Sequence, residues 1–117
     1  MVEKKDLDAL DELLLTKDLP TLVEGKNDVK ALKELGFLFV FSLDGPLFEM
    51  VEFLERYKEV SLLLDLDKGG DILFKVLKHE LSQKGVRINV KARKALAKTP
   101  VRQVEDLTRF MKNKGLL

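Results

Sequence analysis

The chain contains no cysteine, which excludes disulfides, thiolate zinc sites and cysteine nucleophiles. Zero cysteines also fits a reducing compartment. There is a single histidine, His79, and a single tyrosine, Tyr57. With so few alternatives, any catalysis must rest on carboxylates, hydroxyls or lysines. No apolar run approaches the roughly 20 residues that a membrane-spanning helix needs. The first fifteen residues are charged from the third onward and show no signal-peptide core. A cytoplasmic protein without membrane attachment is the expectation.

What is present is charge and aliphatic residues: 35% of the 117 residues are charged and 45% are hydrophobic. That length and apolar content suit one domain over residues 1–117 with its own core. The net charge of +1 hides an asymmetry. From Lys84 to Val104 there are seven basic residues and no acid, which leaves 14 basic and 20 acidic residues elsewhere, a net of −6. An acidic body with one basic segment can draw a polyanion to one place. A solvated helix face is the competing reading of the same segment.

One stretch organises the rest. Val60 to Leu64 is apolar apart from Ser61 and stops at Asp65 and Asp67, with Gly69, Gly70 and Asp71 following. This reads as a buried strand that presents two carboxylates at its end, before a helix opens at the glycines and runs to about Gln83. Ile72, Leu73, Val76, Leu77 and Leu81 are its expected inward face.

Earlier in the chain, Lys4 to Leu15 has the period of an amphipathic helix, with Leu7, Leu10, Leu14 and Leu15 on one face and the acids mostly elsewhere. Pro20 to Val23 reads as a strand, and Glu24-Gly25-Lys26-Asn27-Asp28 as a sharp turn opening a helix that Gly36 ends. Phe37 to Leu43 reads as a strand buried on both faces. A helix follows from Pro46 to about Lys58, with Leu47, Met50, Val51 and Leu54 inward.

Beyond Gln83, Val86 to Val90 forms a fourth short strand. Lys91 to Lys98 is a short helix with Lys91, Lys94 and Lys98 on one side, and a last helix runs from about Arg102 to Lys114. Four strand–helix units in succession predict a parallel sheet with helices on both faces.

In such a sheet, ligands bind beyond the carboxyl ends of the strands. Glu24 follows the first strand, and Asp65 and Asp67 the third. If those strands are neighbours, the order is 2-1-3-4, the second strand is an edge, and the three acids meet. Clustered carboxylates repel one another, and a divalent ion relieves the cost. A ligand set of hard oxygens favours Mg2+ or Mn2+ over zinc.

Leu22-Val23-Glu24-Gly25-Lys26-Asn27-Asp28 and Leu63-Leu64-Asp65-Leu66-Asp67-Lys68-Gly69-Gly70, with one strand–helix unit between them, resemble the two signature motifs of the Toprim domain. The resemblance covers about residues 20–90. It is closer to the small stand-alone Toprim proteins related to ribosomal RNA maturation nucleases, whose tails resemble Arg93, Leu96 and Val104-Glu105-Asp106-Leu107. It implies a three-layer α/β/α Rossmann-like core, an added N-terminal helix over 4–15 and a basic helical tail over 91–117.

The same resemblance implies Glu24 as general acid or base, Asp65 and Asp67 as metal ligands, and Asp71 as an outer carboxylate. Gly25 would keep the turn open. Lys26 and Lys68 would lie near phosphate, with Lys91, Arg93, Lys94 and Lys98 holding the nucleic-acid backbone. A nuclease acting on RNA or DNA is the leading reading. The alternative is a non-catalytic module that binds metal and nucleic acid and works with a protein partner. Tyr57 lies on an amphipathic helix away from the strand ends, which argues against topoisomerase chemistry. A phosphorylation switch would want a pair of acids where Glu24 stands alone.

Overall fold

A computed structural model describes residues 2–117. Four strands, β1 (Thr21–Val23), β2 (Val40–Ser42), β3 (Glu59–Leu62) and β4 (Arg87–Asn89), form one sheet in the order β2-β1-β3-β4. All three pairings are parallel. The helices are α1 (Lys4–Leu14), α2 (Lys26–Glu34), α3 (Leu47–Leu54), α4 (Lys68–Gln83), α5 (Lys91–Ala97) and α6 (Leu107–Asn113), with a 3-10 turn at Val104–Asp106.

The central strands alternate between two cores because successive side chains leave a strand on opposite faces. Leu22 of β1 and Val60, Leu62 and Leu64 along β3 pack with Val51, Leu54, Leu77 and Leu81 of α3 and α4. Val23 and Leu63 face the other way, into a core built with Leu10 and Leu13 of α1, Leu32 of α2, Ala92 and Leu96 of α5, and Leu107 and Met111 of α6. Burial on both sides explains why β1 and β3 read as continuous apolar runs.

The connection through α2 crosses one face of the sheet, and those through α3 and α4 cross the other. The chain therefore reverses its winding between β1 and β3. That reversal is where doubly wound sheets leave a crevice beyond their strand ends.

Three expectations fail in detail. The run 37–43 is not a strand buried on both faces. Only Val40–Ser42 forms the strand, and Leu38 and Phe39, which lie in the bend before it, are exposed. In α1, the buried face is Asp6, Ala9, Leu10 and Leu13, whereas Leu15 is 84% exposed. The helix is rotated so that the small Ala9 lies on its buried face, and α5 is the helix it packs against. On α4, Leu77 and Leu81 are buried, but Ile72 and Val76 face outward beside exposed Phe48 of α3. The outer side of the α3–α4 layer is left to solvent at these residues.

Candidate metal and nucleic-acid site

Glu24, Asp65 and Asp67 leave adjacent strands at the same edge of the sheet. The pairing of β1 with β3 puts Leu22 beside Leu62, so the chain beyond each strand emerges at the crevice. The Oε2 of Glu24 accepts the amide of Asp65 at 2.8 Å, which ties the two strand ends together. Asp67 is the N-cap of α4, its Oδ1 accepting the amide of Gly70 at 2.7 Å. Its position is set by the helix start, since a free N-terminal amide needs an acceptor.

Gly70 is required by packing. A Cβ there would fall 1.9 Å from the carbonyl oxygen of Asp65, so only glycine lets the first turn of α4 lie against the strand end. Gly25 differs. It is the N-cap of α2 in extended backbone, and an added Cβ would meet only Asp28 Oδ2, at 3.9 Å. The sharp turn expected at this position does not depend on glycine's conformational freedom.

Asp28, read from sequence only as a helix cap, is buried beside the site. Its Oδ2 accepts the amide of Gly25 at 3.0 Å, which is the carboxylate half of a capping box. The C-terminal segment closes over the same carboxylates. The amide of Val104 donates to Asp65 Oδ1 at 2.9 Å, and the amide of Leu66 donates to the carbonyl of Arg102 at 2.7 Å. These bonds join residues far apart in sequence through backbone groups, and no side-chain pattern announces them.

The electrostatics follow from this crowding. Glu24 binds its proton more tightly than an ordinary glutamate, first because it is partly buried and then because Asp65, Asp67 and Asp28 surround it. Its bond from the Asp65 amide acts the other way. Burial likewise raises Asp65, with Asp67, Glu105 and Asp106 adding to it against the opposing bond from Val104. Asp28 is raised by burial and by Asp65.

The donor set fits a hard divalent cation. Glu24, Asp65 and Asp67 each commit one oxygen to a backbone amide and leave the other without a protein donor among the described residues. Among those residues, no three acids converge as a closed ligand cluster. Magnesium is often held in that manner, by one or two carboxylates with water and phosphate filling the remaining positions.

The other expected residues divide. Lys68 is exposed at the start of α4, and Lys26, at the start of α2, lines a groove with Ser42 and Asp44 beyond β2. Arg93 does reach the strand end, but its guanidinium is engaged. Nε donates to the carbonyl of Leu64 at 3.1 Å, and Nη2 to the carbonyl of Asp65 at 2.8 Å and to Asp71 Oδ1 at 2.7 Å. It also lies 5.0 Å from the Phe74 ring centroid. Arg93 and Asp71 therefore neutralise each other, and the geometry makes Arg93 a brace of the β3 end.

Lys91, Lys94 and Lys98 are not brought to the carboxylates. They line a separate groove with Leu15 and Leu19 at the end of α1, where Lys98 pairs with Glu12 at 2.9 Å. The largest groove, about 650 Å³ between α3 and α4, is lined by none of the site carboxylates.

Residues 20–93 match the family model described as the Toprim domain. The chain is 32% identical over 121 residues to a UPF0292 protein of Methanocaldococcus jannaschii, an alignment covering 97% of this chain and 94% of that protein. It is 33% identical to a UPF0292 protein of Pyrococcus abyssi, over 88% and 82% of the two chains. A solved structure of a protein from Aquifex aeolicus superimposes with a TM-score of 0.75 at 32% identity, covering 86% of this chain and 95% of that one.

Proposed function

This chain belongs to the Toprim domain family and to the UPF0292 proteins, and from that premise we propose that it is a magnesium-dependent nuclease that cleaves phosphodiester bonds, with RNA as the first substrate to test. Toprim domains generally bind a divalent metal and work on nucleic acid. The observation that carries the finer reading is Glu24, held against the Asp65 amide among Asp65, Asp67 and Asp28 with its proton affinity raised.

A carboxyl group whose pKa is raised toward neutrality is suited to proton transfer. Glu24 takes a proton from the attacking water or gives one to the leaving oxygen, and its bond to Asp65 fixes the direction in which it acts. Asp65 and Asp67 would hold Mg2+, or Mn2+ in its place, since each has one carboxylate oxygen that the backbone leaves free. When bound, the ion supplies Lewis-acid polarisation of the phosphate and a lowered pKa for water. Gly25, Lys26 and Lys68 flank these carboxylates along the chain and receive the phosphate. Asp71 acts through Arg93, fixing the strand end and not the ion.

A second reading has its own observation. Without a closed three-carboxylate cluster among the described residues, one ion could bridge the chain to a phosphate without hydrolysis, as in an assembly module with a protein partner. Cleavage of structured RNA and single-stranded DNA in magnesium separates the two. The nuclease reading expects Glu24→Gln to lower the rate at least about a hundredfold while nucleic acid still binds. Equal rates for the variant and the wild type would remove Glu24 from the chemistry. Binding without cleavage in the wild type would favour the module.

A further inference from the structure

A groove of about 450 Å³ opens beside Asp67 and is walled by residues outside the Toprim-matched segment. Its lining includes the donors Arg102, Gln103, Arg109 and Asn113, the acids Asp67 and Asp106, and Phe110 as an apolar wall. Arg102 is held from its own backbone: Nη2 donates to the carbonyl of Thr99 at 2.9 Å and Nη1 to that of Val101 at 3.3 Å. Arg102 is exposed and lines the groove. Arg109 is 72% exposed and touches Asp106 at 2.8 Å. An adjoining groove shares Arg109, Asp106 and Asn113 and continues between α2 and α6 past Lys30 and Lys112, with Glu34 and Glu105 also in its lining.

We propose that the strand leaving the candidate cleavage site runs along this track over α6, with its backbone phosphates on Arg102 and Arg109. The proposal rests on the nucleic-acid reading above and gives it a direction. Arg102 and Arg109 can each meet a backbone phosphate, with Arg109 exchanging its exposed pairing to Asp106 for it, and a partly exposed aromatic wall beside them is how sequence-tolerant contacts to unpaired nucleotides are made. The groove is continuous with Asp67, whereas that of Lys91, Lys94 and Lys98 is built against α1 and contains none of the three carboxylates. The occupant is therefore a single-stranded segment of RNA or DNA lying across the C-terminal helix, and the lysines of α5 take no part.

The test is fluorescence anisotropy with short labelled single strands of RNA and of DNA, in EDTA and, on the Glu24→Gln background, in magnesium. Arg102→Ala/Arg109→Ala is compared with Lys91→Ala/Lys94→Ala. The arginine pair should weaken binding at least about tenfold and reduce the salt slope by about 1.4, the value for two phosphate contacts to a single strand. The lysine pair should change neither by more than about twofold. Arg109→Glu, at an exposed position, provides a variant that folds, and it should bind more weakly than Arg109→Ala.

An arginine pair that binds with wild-type affinity and slope overturns the track. So does a larger loss in the lysine pair. A wild-type protein that binds neither strand in either buffer overturns the nucleic-acid reading itself, and the track with it.

Discussion

Replacing Arg93 with alanine tests whether that side chain is a brace or a ligand for phosphate. In the folded chain it donates three hydrogen bonds of 2.7–3.1 Å, two of them to the carbonyls of Leu64 and Asp65, and only 14% of its side chain is exposed. Alanine leaves those two carbonyls without their donor. A buried group left unsatisfied costs about 1–3 kcal/mol. Asp71 is 62% exposed and recovers water, so its lost ion pair adds little.

The expected destabilisation is therefore roughly 2–4 kcal/mol for Arg93→Ala, and below about 1 kcal/mol for Asp71→Ala. Arg93→Lys should recover less than half, since an ammonium is a point charge that cannot span the forked arrangement. Urea unfolding of the four proteins without nucleic acid is the assay. A loss for Arg93→Ala under about 0.5 kcal/mol, or one matched by Asp71→Ala, would refute the reasoning.

Gly70→Ala should destabilise the fold by more than about 3 kcal/mol or prevent folding. Gly69→Ala, whose Cβ would meet nothing closer than 3.5 Å, should melt at or above the wild-type temperature because alanine favours helix. The raised carboxyl groups predict a pH dependence. Glu24, Asp28 and Asp65 all take up protons more readily folded than unfolded, so their favourable contribution is complete below the ordinary values of 4.5 and 3.8 and is lost as pH rises through their raised ones. In EDTA, Glu24→Gln should be more stable than the wild type near neutral pH, and the difference should close below pH 4.5. A gap that is constant with pH would contradict this. Magnesium should raise the wild-type melting temperature by mass action, and Asp65→Asn/Asp67→Asn should show no such rise when scanned in the same buffers.

The sheet order was legible because two apolar runs, Leu22-Val23 and Val60 to Leu64, each ended at an acid, and only adjacent strands would bring those acids together. The convergence of Glu24, Asp65 and Asp67 on one edge follows from the same pattern. Apolar runs are less informative about sheet edges. Leu38 and Phe39 belong to no strand, and hydrophobicity alone does not distinguish a residue under a helix from one beside it. Ile72 and Val76 fit the helical period as well as Leu77 does, yet no layer covers them. For Arg93, sequence gave the charge but not the acceptor. A phosphate and a pair of backbone carbonyls attract a guanidinium for the same reason, and only the fold shows which is within reach.

The bonds from Val104 to Asp65 and from Leu66 to Arg102 bear on where this protein can be divided. A chain cut after Arg93 would retain every residue of the family match. It would lose the donor that orients Asp65, as well as Ala95, Leu96, Val104, Leu107 and Met111 from one of the two cores. The Toprim match and the folded core therefore end at different residues. Substitutions in the tail, beyond the Toprim match, can alter the carboxylates as directly as substitutions within the motifs.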